Sequence, residues 1–278
     1  MCEAPLLSSQ DRESMITAIK AEGLDVDLEG AAVRSGWENV VLDTRDGWIL
    51  RFPRDERIPF RRELALLDCL HDHLPAPIPR IVRTGIKTRF AAYRRIDGAT
   101  LEPAAFAAAE PIVRDRVAAG LARFLAAMHA TIDLPAVQEL RVPSFDAEGL
   151  FPLDRKRLAA ELWPRYRATR EDLVARLAAS PHLPVLLHND FHIGNLVLDG
   201  PVGRLAGVWD FSCVAIGNPS LDFRYLVEDP ELGARIASAY AARTGLEIDL
   251  GLAADALRLE QVSDALEEHR DPAPYLAE

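Results

Sequence analysis

The chain has 278 residues, 49% of them hydrophobic and 27% charged, with a formal net charge of −11. This is ordinary globular composition, and the length suffices for one large core or two lobes. The acidic balance disfavours nucleic acid and anionic membrane as partners, and with no run of about 18 apolar residues a membrane span is not expected.

In chain order, residues 30–42 read as two strands with a bend at Ser35-Gly36. Asp46-Gly47 is a two-residue hairpin signal between apolar runs at 40–42 and 48–50; the second strand continues through Arg51 and Phe52 until Pro53 stops it. Phe60, Leu64, Leu67 and Leu70 recur at helical spacing, which puts Glu63 beside one buried stripe. A proline-rich spacer at 75–79 leads to short strands at 81–83 and 90–93, then to Arg94, Arg95, Ile96, Asp97 and Gly98. Residues 114–130 form a core helix with Val117, Leu121, Phe124, Leu125 and Met128 on one face. A longer helix spans 158–177, kinked or divided where Trp163 precedes Pro164. Beyond residue 185 the pattern becomes short strands at 185–187, 196–198 and 204–209, with Asp199-Gly200 opening the turn between the last two.

His188, Asp190 and Asn195 share one loop in an H-N-D-x4-N string, and Asp210 ends the hairpin that follows. Phosphoryl transfer needs such a set: one carboxylate to orient and deprotonate a hydroxyl, and an amide with a second carboxylate to hold magnesium on nucleotide phosphates. Magnesium is a hard cation that takes oxygen ligands, and a nucleotide supplies most of them. The hairpin carries Asn195 at its start and Asp210 at its finish, so both metal ligands come to one end. Gly194 marks a position where a positive φ is cheap. The Asp-x4-Asn spacing is also that of the protein-kinase catalytic loop.

Residues 185–221 resemble the catalytic core of the aminoglycoside phosphotransferase family, whose usual string is H-G-D-x-x-x-x-N followed by hydrophobic-x-D. Here Asn189 replaces the glycine, a modest change because Asn tolerates left-handed backbone. Gly217-Asn218-Pro219-Ser220-Leu221-Asp222-Phe223 is similar to that family's G-D/N-P-x-x-D-hydrophobic element, which implies that Asp222 braces the catalytic loop. The resemblance implies an α+β, protein-kinase-like two-lobe fold. A small N-terminal nucleotide-binding lobe (1–95) would hold an antiparallel sheet plus a helix. A larger, mostly helical lobe (96–278) would carry the catalytic and acceptor-binding residues. Asp190 is then the catalytic carboxylate, Asn195 and Asp210 the Mg2+ ligands, and Arg51 the phosphate-binding residue, positioned by Glu63. Ser35 lies at the bend over the phosphates, while Tyr93, Arg95 and Ile96 border the hinge where the base would meet backbone. Two departures stand out. Arg51 occupies the place of a lysine with a planar fork instead of a compact ammonium, as is familiar in macrolide phosphotransferase relatives. The bend at 35–39 is not a G-x-G-x-x-G loop, which argues against a protein kinase.

The implied reaction is ATP- or GTP-dependent transfer of the γ-phosphoryl group to a hydroxyl of a small molecule, an aminoglycoside or macrolide antibiotic. A metabolic kinase acting on choline, homoserine or a sugar derivative is the alternative, and a nucleotide-binding pseudokinase regulator a further one. From Asp222 to Glu278 there are 13 acidic and 5 basic residues, a surface suited to a cationic acceptor or simply to solubility. Glu228, Asp229, Glu231, Glu260, Asp264, Glu267 and Glu268 are the acidic candidates, and 260/264 and 264/267/268 share a helical face. His188 reads as a loop brace, and His192 as facing either acceptor or solvent. His71 and His73 close a helix and are not expected to bind metal. The N-terminus lacks a basic stretch followed by an apolar one, and Cys2, Cys69 and Cys213 are widely spaced, so a reducing cytoplasm is the expected location.

Overall fold

The computed structural model describes residues 9–35, 39–56, 59–86 and 88–276. Helix α1 (Ser9–Ala21), which the sequence pattern did not announce, precedes strands β1 (Ala32–Ser35), β2 (Asn39–Asp43) and β3 (Trp48–Pro53). Helix α2 (Phe60–Leu70) then leads to β4 (Ile81–Thr84) and β5 (Ala91–Arg94). All five strands form one antiparallel sheet in the order β1-β2-β3-β5-β4.

The sheet's two faces follow from strand parity. Val40, Leu42, Leu50, Phe52, Phe90 and Ala92 are buried together with Ile19 of α1. In the register, Arg51 lies opposite Val41 and Ala91, and Ile49 lies opposite Tyr93, so these residues share the other face. Truncating a side chain such as Leu50, fully buried in this core, would cost about 2–5 kcal/mol. The β2–β3 connection is longer than a two-residue turn. Thr44 N–H donates to Trp48 O at 2.9 Å, Gly47 N–H donates to Thr44 O at 3.1 Å, and Gly47 takes the left-handed φ of +83°. This is a four-residue turn closed by a glycine bulge, another common way to end a hairpin. The bend between β1 and β2 lies at residues 36–38, outside the described residues, and Ser35 closes β1 opposite Val40.

The rest of the chain is mostly helical. Helices α3 (Pro103–Ala108), α4 (Pro111–Ala130), α5 (Pro135–Glu139), α6 (Ala147–Leu150) and α7 (Trp163–Ala178) precede strands β6 (Val185–Leu187), β7 (Leu196–Leu198), β8 (Leu205–Val208) and β9 (Ala215–Gly217). Helices α8 (Pro230–Thr244) and α9 (Leu250–Glu267) follow. Pro164 lies in the first turn of α7, so it starts that helix instead of kinking a longer one; residues 155–157 form a separate 3-10 turn. Residues 226–228 form another 3-10 turn. The apolar faces of α4 and α8 meet in one core with Leu186, Leu196, Leu198 and Val208, while α7 and α9 enclose a second.

Leu66, Leu67 and Leu70 of α2 belong to the core of the helical part, not to the core under the sheet. Glu63 is itself buried in the stripe, on the turn facing β3. Beyond β5 the chain is tied to the β7–β8 hairpin. Ala99 and Leu198 exchange two backbone hydrogen bonds of 2.8 Å, and Val208 N–H donates to Pro77 O at 3.0 Å. Ile96 packs so closely on Gly207 that a Cβ there would lie 2.6 Å from its Cγ2, which is why the hairpin needs glycine at that position.

Candidate active site

A cavity of about 1080 Å³ runs between the sheet and the helical part. Its roof is the second sheet face: Val41, Asp43, Ile49, Arg51 and Tyr93, with Ile96 where the chain leaves the sheet. Arg51, 7% exposed, donates from Nη2 to Glu63 Oε2, and its Nη1 lies 3.9 Å from Asp210 Oδ1. Its Nε is buried with no partner among the described residues. Burial alone would lower the Arg51 pKa. The charge and hydrogen bond of Glu63, with Tyr93 and Asp210 nearby, outweigh burial and hold it well above its ordinary value. Burial pushes the Tyr93 hydroxyl up to about 12, so it is a neutral donor at physiological pH. Arg95 is engaged within the protein: its N–H donates to Gly47 O at 2.9 Å and its side chain to Asp43 at 2.7 Å and Asp97 at 3.1 Å.

The floor is built by the loop after β6 and the β7–β8 hairpin. Asn195 Nδ2 donates to Asp190 O at 2.9 Å and to Asp190 Oδ2 at 2.8 Å. The amide nitrogen is thereby committed, leaving Asn195 Oδ1 as the acceptor able to meet a cation and, among the described residues, Asp190 Oδ1 without a hydrogen-bond donor. Trp209 N–H bonds to Asn195 O at 3.1 Å, so the hairpin brings Asp210 beside Asn195. Ser212 Oγ donates to Asp210 Oδ1 at 2.8 Å. Asn189 (φ +60°) and Asp210 (φ +61°) both adopt left-handed backbone, sparsely populated for residues other than glycine. Gly194 does not. Its requirement is room: a Cβ there would lie 2.7 Å from the His192 ring. His192 Nδ1 accepts from Gly194 N–H at 3.0 Å, and its Nε2 stands 3.7 Å from Asp190 Oδ2.

Asp222 lies beneath this floor, completely buried. Its Oδ2 accepts from His188 N–H at 2.9 Å and its Oδ1 from Asn189 N–H at 2.6 Å. His129 Nε2 donates to Oδ2 at 3.0 Å, which leaves His129 Nδ1 to accept from Tyr240 Oη at 2.8 Å. Burial opposes the charge on Asp222, but His129 with the loop N–H groups overcomes it and holds the carboxyl below the usual range. His188 Nε2 donates to Trp209 O at 3.1 Å, and burial lowers its pKa, so this histidine is a neutral brace.

The remaining wall is formed by α9 and the segment around α6. Glu260, Asp264 and Glu267 line it, together with Phe145, Leu150, Phe151 and Tyr225. Burial, then the neighbouring Glu260, Glu267 and Glu268, pushes Asp264 up to about 6. The other acidic candidates lie elsewhere. Asp229 caps α8, Glu231 pairs with Arg114 and Arg235, Glu268 with Arg270, and Glu228 accepts from Gln261. Sequence reasoning missed Arg224 and Tyr225. Arg224 is buried and bonded to Glu260 and to Asn189 across 35 residues, a separation no local pattern encodes.

Among the described residues no cluster of three or more His, Cys, Asp or Glu side chains suits a metal on its own. Asn195 Oδ1 and the half-exposed Asp210 carboxylate form a two-oxygen set of the hard type that fits Mg2+ completed by phosphate oxygens.

An antiparallel sheet with two helices, one more than the resemblance implied, set over a mostly helical part with an Asp-x4-Asn loop and a later Asp between them, defines the protein-kinase-like class of phosphotransferases. Within that class the chain belongs to the APH group: the profile of the "Phosphotransferase enzyme family" matches residues 29–273. Among solved structures the chain is similar to the GDP complex of wild-type aminoglycoside 2'-phosphotransferase-IIIa, with TM-score 0.79 and 19% identity over 96% of this chain and 97% of that one. It is similar to the GDP and kanamycin complex of APH(2")-IIia, with TM-score 0.76 and 21% identity over 91% and 90%. Macrolide 2'-phosphotransferase type I gives TM-score 0.70 and 21% identity over 98% and 96%. At these identities the likeness establishes the fold. None of the curated proteins compared with the chain matches it significantly.

Proposed function

We propose that the enzyme transfers the γ-phosphoryl group of ATP or GTP to a hydroxyl of a small cationic acceptor, with an aminoglycoside the favoured class. The observation that carries this reading is the convergence of Asp190, Asn195 and Asp210 on one cavity, beneath the Arg51–Glu63 pair. Residues 1–95 would form the nucleotide lobe and 96–278 the catalytic and acceptor lobe. The nucleotide base would lie against Ile49, Tyr93 and Ile96, with Arg95 at its margin, and Arg51 would meet the phosphates beneath the bend that Ser35 enters. Asn195 and Asp210 would hold Mg2+, which neutralises charge on the phosphates.

The acceptor hydroxyl would hydrogen-bond to Asp190 Oδ1, since Oδ2 is taken by Asn195. As the acceptor oxygen attacks the γ-phosphorus in line, its proton passes to Asp190. The bond from phosphorus to the β–γ bridging oxygen breaks, and the nucleoside diphosphate leaves. A positioned base of this kind contributes about 10²–10⁴ in rate.

Asp264 and Glu267 would attract acceptor amines. Glu260 is already neutralised by Arg224, at 2.6 Å. Phe145, Leu150 and Phe151 beside these carboxylates favour a second reading, in which the acceptor pairs one amine with an apolar body, as a macrolide does. The reaction belongs where nucleoside triphosphates are abundant, in the cytoplasm. The test is a panel of aminoglycosides, macrolides and metabolic alcohols, each with ATP and GTP, followed by coupled release of nucleoside diphosphate. Acceptor-dependent release with a cationic antibiotic is expected. Release with neutral metabolic alcohols alone would refute the acceptor assignment, and nucleotide binding without any turnover would refute the enzyme assignment.

A further inference from the structure

Arg224, only 4% exposed, is a second buried arginine beside the cleft, and its donors are spent on the protein. Nε donates to Glu260 Oε2 at 2.6 Å, Nη1 to Asn189 Oδ1 at 3.1 Å and Leu221 O at 3.2 Å, and Nη2 to Asn189 O at 2.5 Å. Tyr225 Oη bonds to the same glutamate at 2.6 Å. Asn189 is held on every side, since its N–H donates to Asp222 Oδ1 at 2.6 Å and its Nδ2 to Cys213 O at 2.9 Å.

The Asn189 carbonyl belongs to the peptide group that joins it to Asp190. Turning that peptide is the local motion that would swing the Asp190 carboxylate away from the cavity. A glycine at 189 would accept the φ of +60° yet make neither side-chain bond, so this chain has a clamp where backbone freedom alone would otherwise serve. The far end of the clamp is Glu260, one turn from Asp264 on the α9 wall.

We propose that Arg224 and Asn189 are positioning residues: they lock the Asn189–Asp190 peptide so that Asp190 faces the acceptor, and they tie that orientation through Glu260 to the acceptor wall. The role rests on the reading of Asp190 as the carboxylate that receives the acceptor's proton. Neither residue binds nucleotide in this scheme, so loss of the clamp lowers kcat and spares nucleotide KM. Displacing a reacting group by about 1 Å costs on the order of 100-fold in rate.

The test uses the full chain with Asn189→Gly, Arg224→Met and Arg224→Lys. Magnesium-dependent release of ADP or GDP is measured with water as the acceptor, so that no acceptor identity is assumed. A fall in kcat of about 10-fold for Asn189→Gly and about 100-fold for Arg224→Met is expected, with nucleotide KM within about twofold and partial recovery in Arg224→Lys. In parallel, hydrogen exchange of peptides covering residues 188–195 should quicken about tenfold in both of the first two variants, while peptides from β2 and β3 stay unchanged. Wild-type kcat and wild-type loop exchange in those variants would overturn the proposal, as would a loss of nucleotide affinity at unchanged kcat. If Arg224→Met does not fold, Asn189→Gly decides, because it keeps the backbone conformation. If the unmodified chain hydrolyses neither nucleotide, kcat is read with whichever acceptor of the panel supports turnover; if none does, the proposed function fails, and the exchange measurement still decides whether the clamp exists.

Discussion

Arg51 and Arg224 are both buried, both bonded to a glutamate on a helix, and both on the border of one cavity, yet they direct their donors differently. Arg51 shares Glu63 and keeps capacity in reserve. Its Nε is without a partner among the described residues, and its Nη1 is 3.9 Å from the Asp210 carboxylate, too far for a hydrogen bond. Arg224 is saturated by a carboxylate, a side-chain amide and two backbone carbonyls. What a buried arginine does is therefore read from the donors it has left over, not from its burial. On the proposed function the first would meet an anionic ligand, whereas the second would be a structural tie whose effect reaches chemistry only through Asp190.

The strongest break in that comparison comes at Asp190, on the cavity that both arginines border. Asp190→Asn should lower kcat about 10³-fold with nucleotide KM little changed, as measured by steady-state turnover. Asp210→Asn should follow, lowering kcat about 100-fold and raising the magnesium concentration for half-maximal rate about tenfold in a metal titration. Arg51→Met should raise nucleotide KM at least tenfold, the opposite split from the Arg224 variants. By removing the guanidinium that faces the buried Glu63 carboxylate it should also cost about 3–5 kcal/mol in denaturant unfolding. Arg51→Lys, which keeps the charge, should recover most of the stability and part of the KM. The smallest effect is expected on the acceptor wall. Because Asp264 titrates near 6, it is mostly protonated at pH 5 and ionised at pH 7. KM for a cationic acceptor should therefore fall a few-fold as pH rises across that window, and Asp264→Asn should flatten the change.

Much of one side of this comparison was legible in the sequence. Arg51 stands out because the resemblance expects a phosphate-binding residue on that strand, Glu63 because helical spacing is a short-range pattern, and the Asp190, Asn195 and Asp210 string is compact because one hairpin carries it. The hairpin at 44–47 and the start of α7 were misread for the same reason. Asp46-Gly47 and Pro164 signal a turn and a boundary without fixing the turn's length or the boundary's side. Gly194 was assigned a conformational role that Asn189 and Asp210 take instead, since close approach of the His192 ring depends on tertiary packing. The Arg224 tie was invisible because it joins residues 35 apart and draws its glutamate from 36 residues further along. Likewise, only packing separates Asp264 and Glu267 on the cavity wall from Asp229 and Glu231, which cap and staple α8.

The most direct measurement is transfer of label from γ-labelled GTP or ATP to kanamycin and to a macrolide, comparing the native chain with Asp190→Ala. Labelled acceptor formed by the native chain and none above background from the variant, while the variant still binds Mg2+ and nucleotide, is the predicted result. Label transferred equally well by Asp190→Ala would contradict the account.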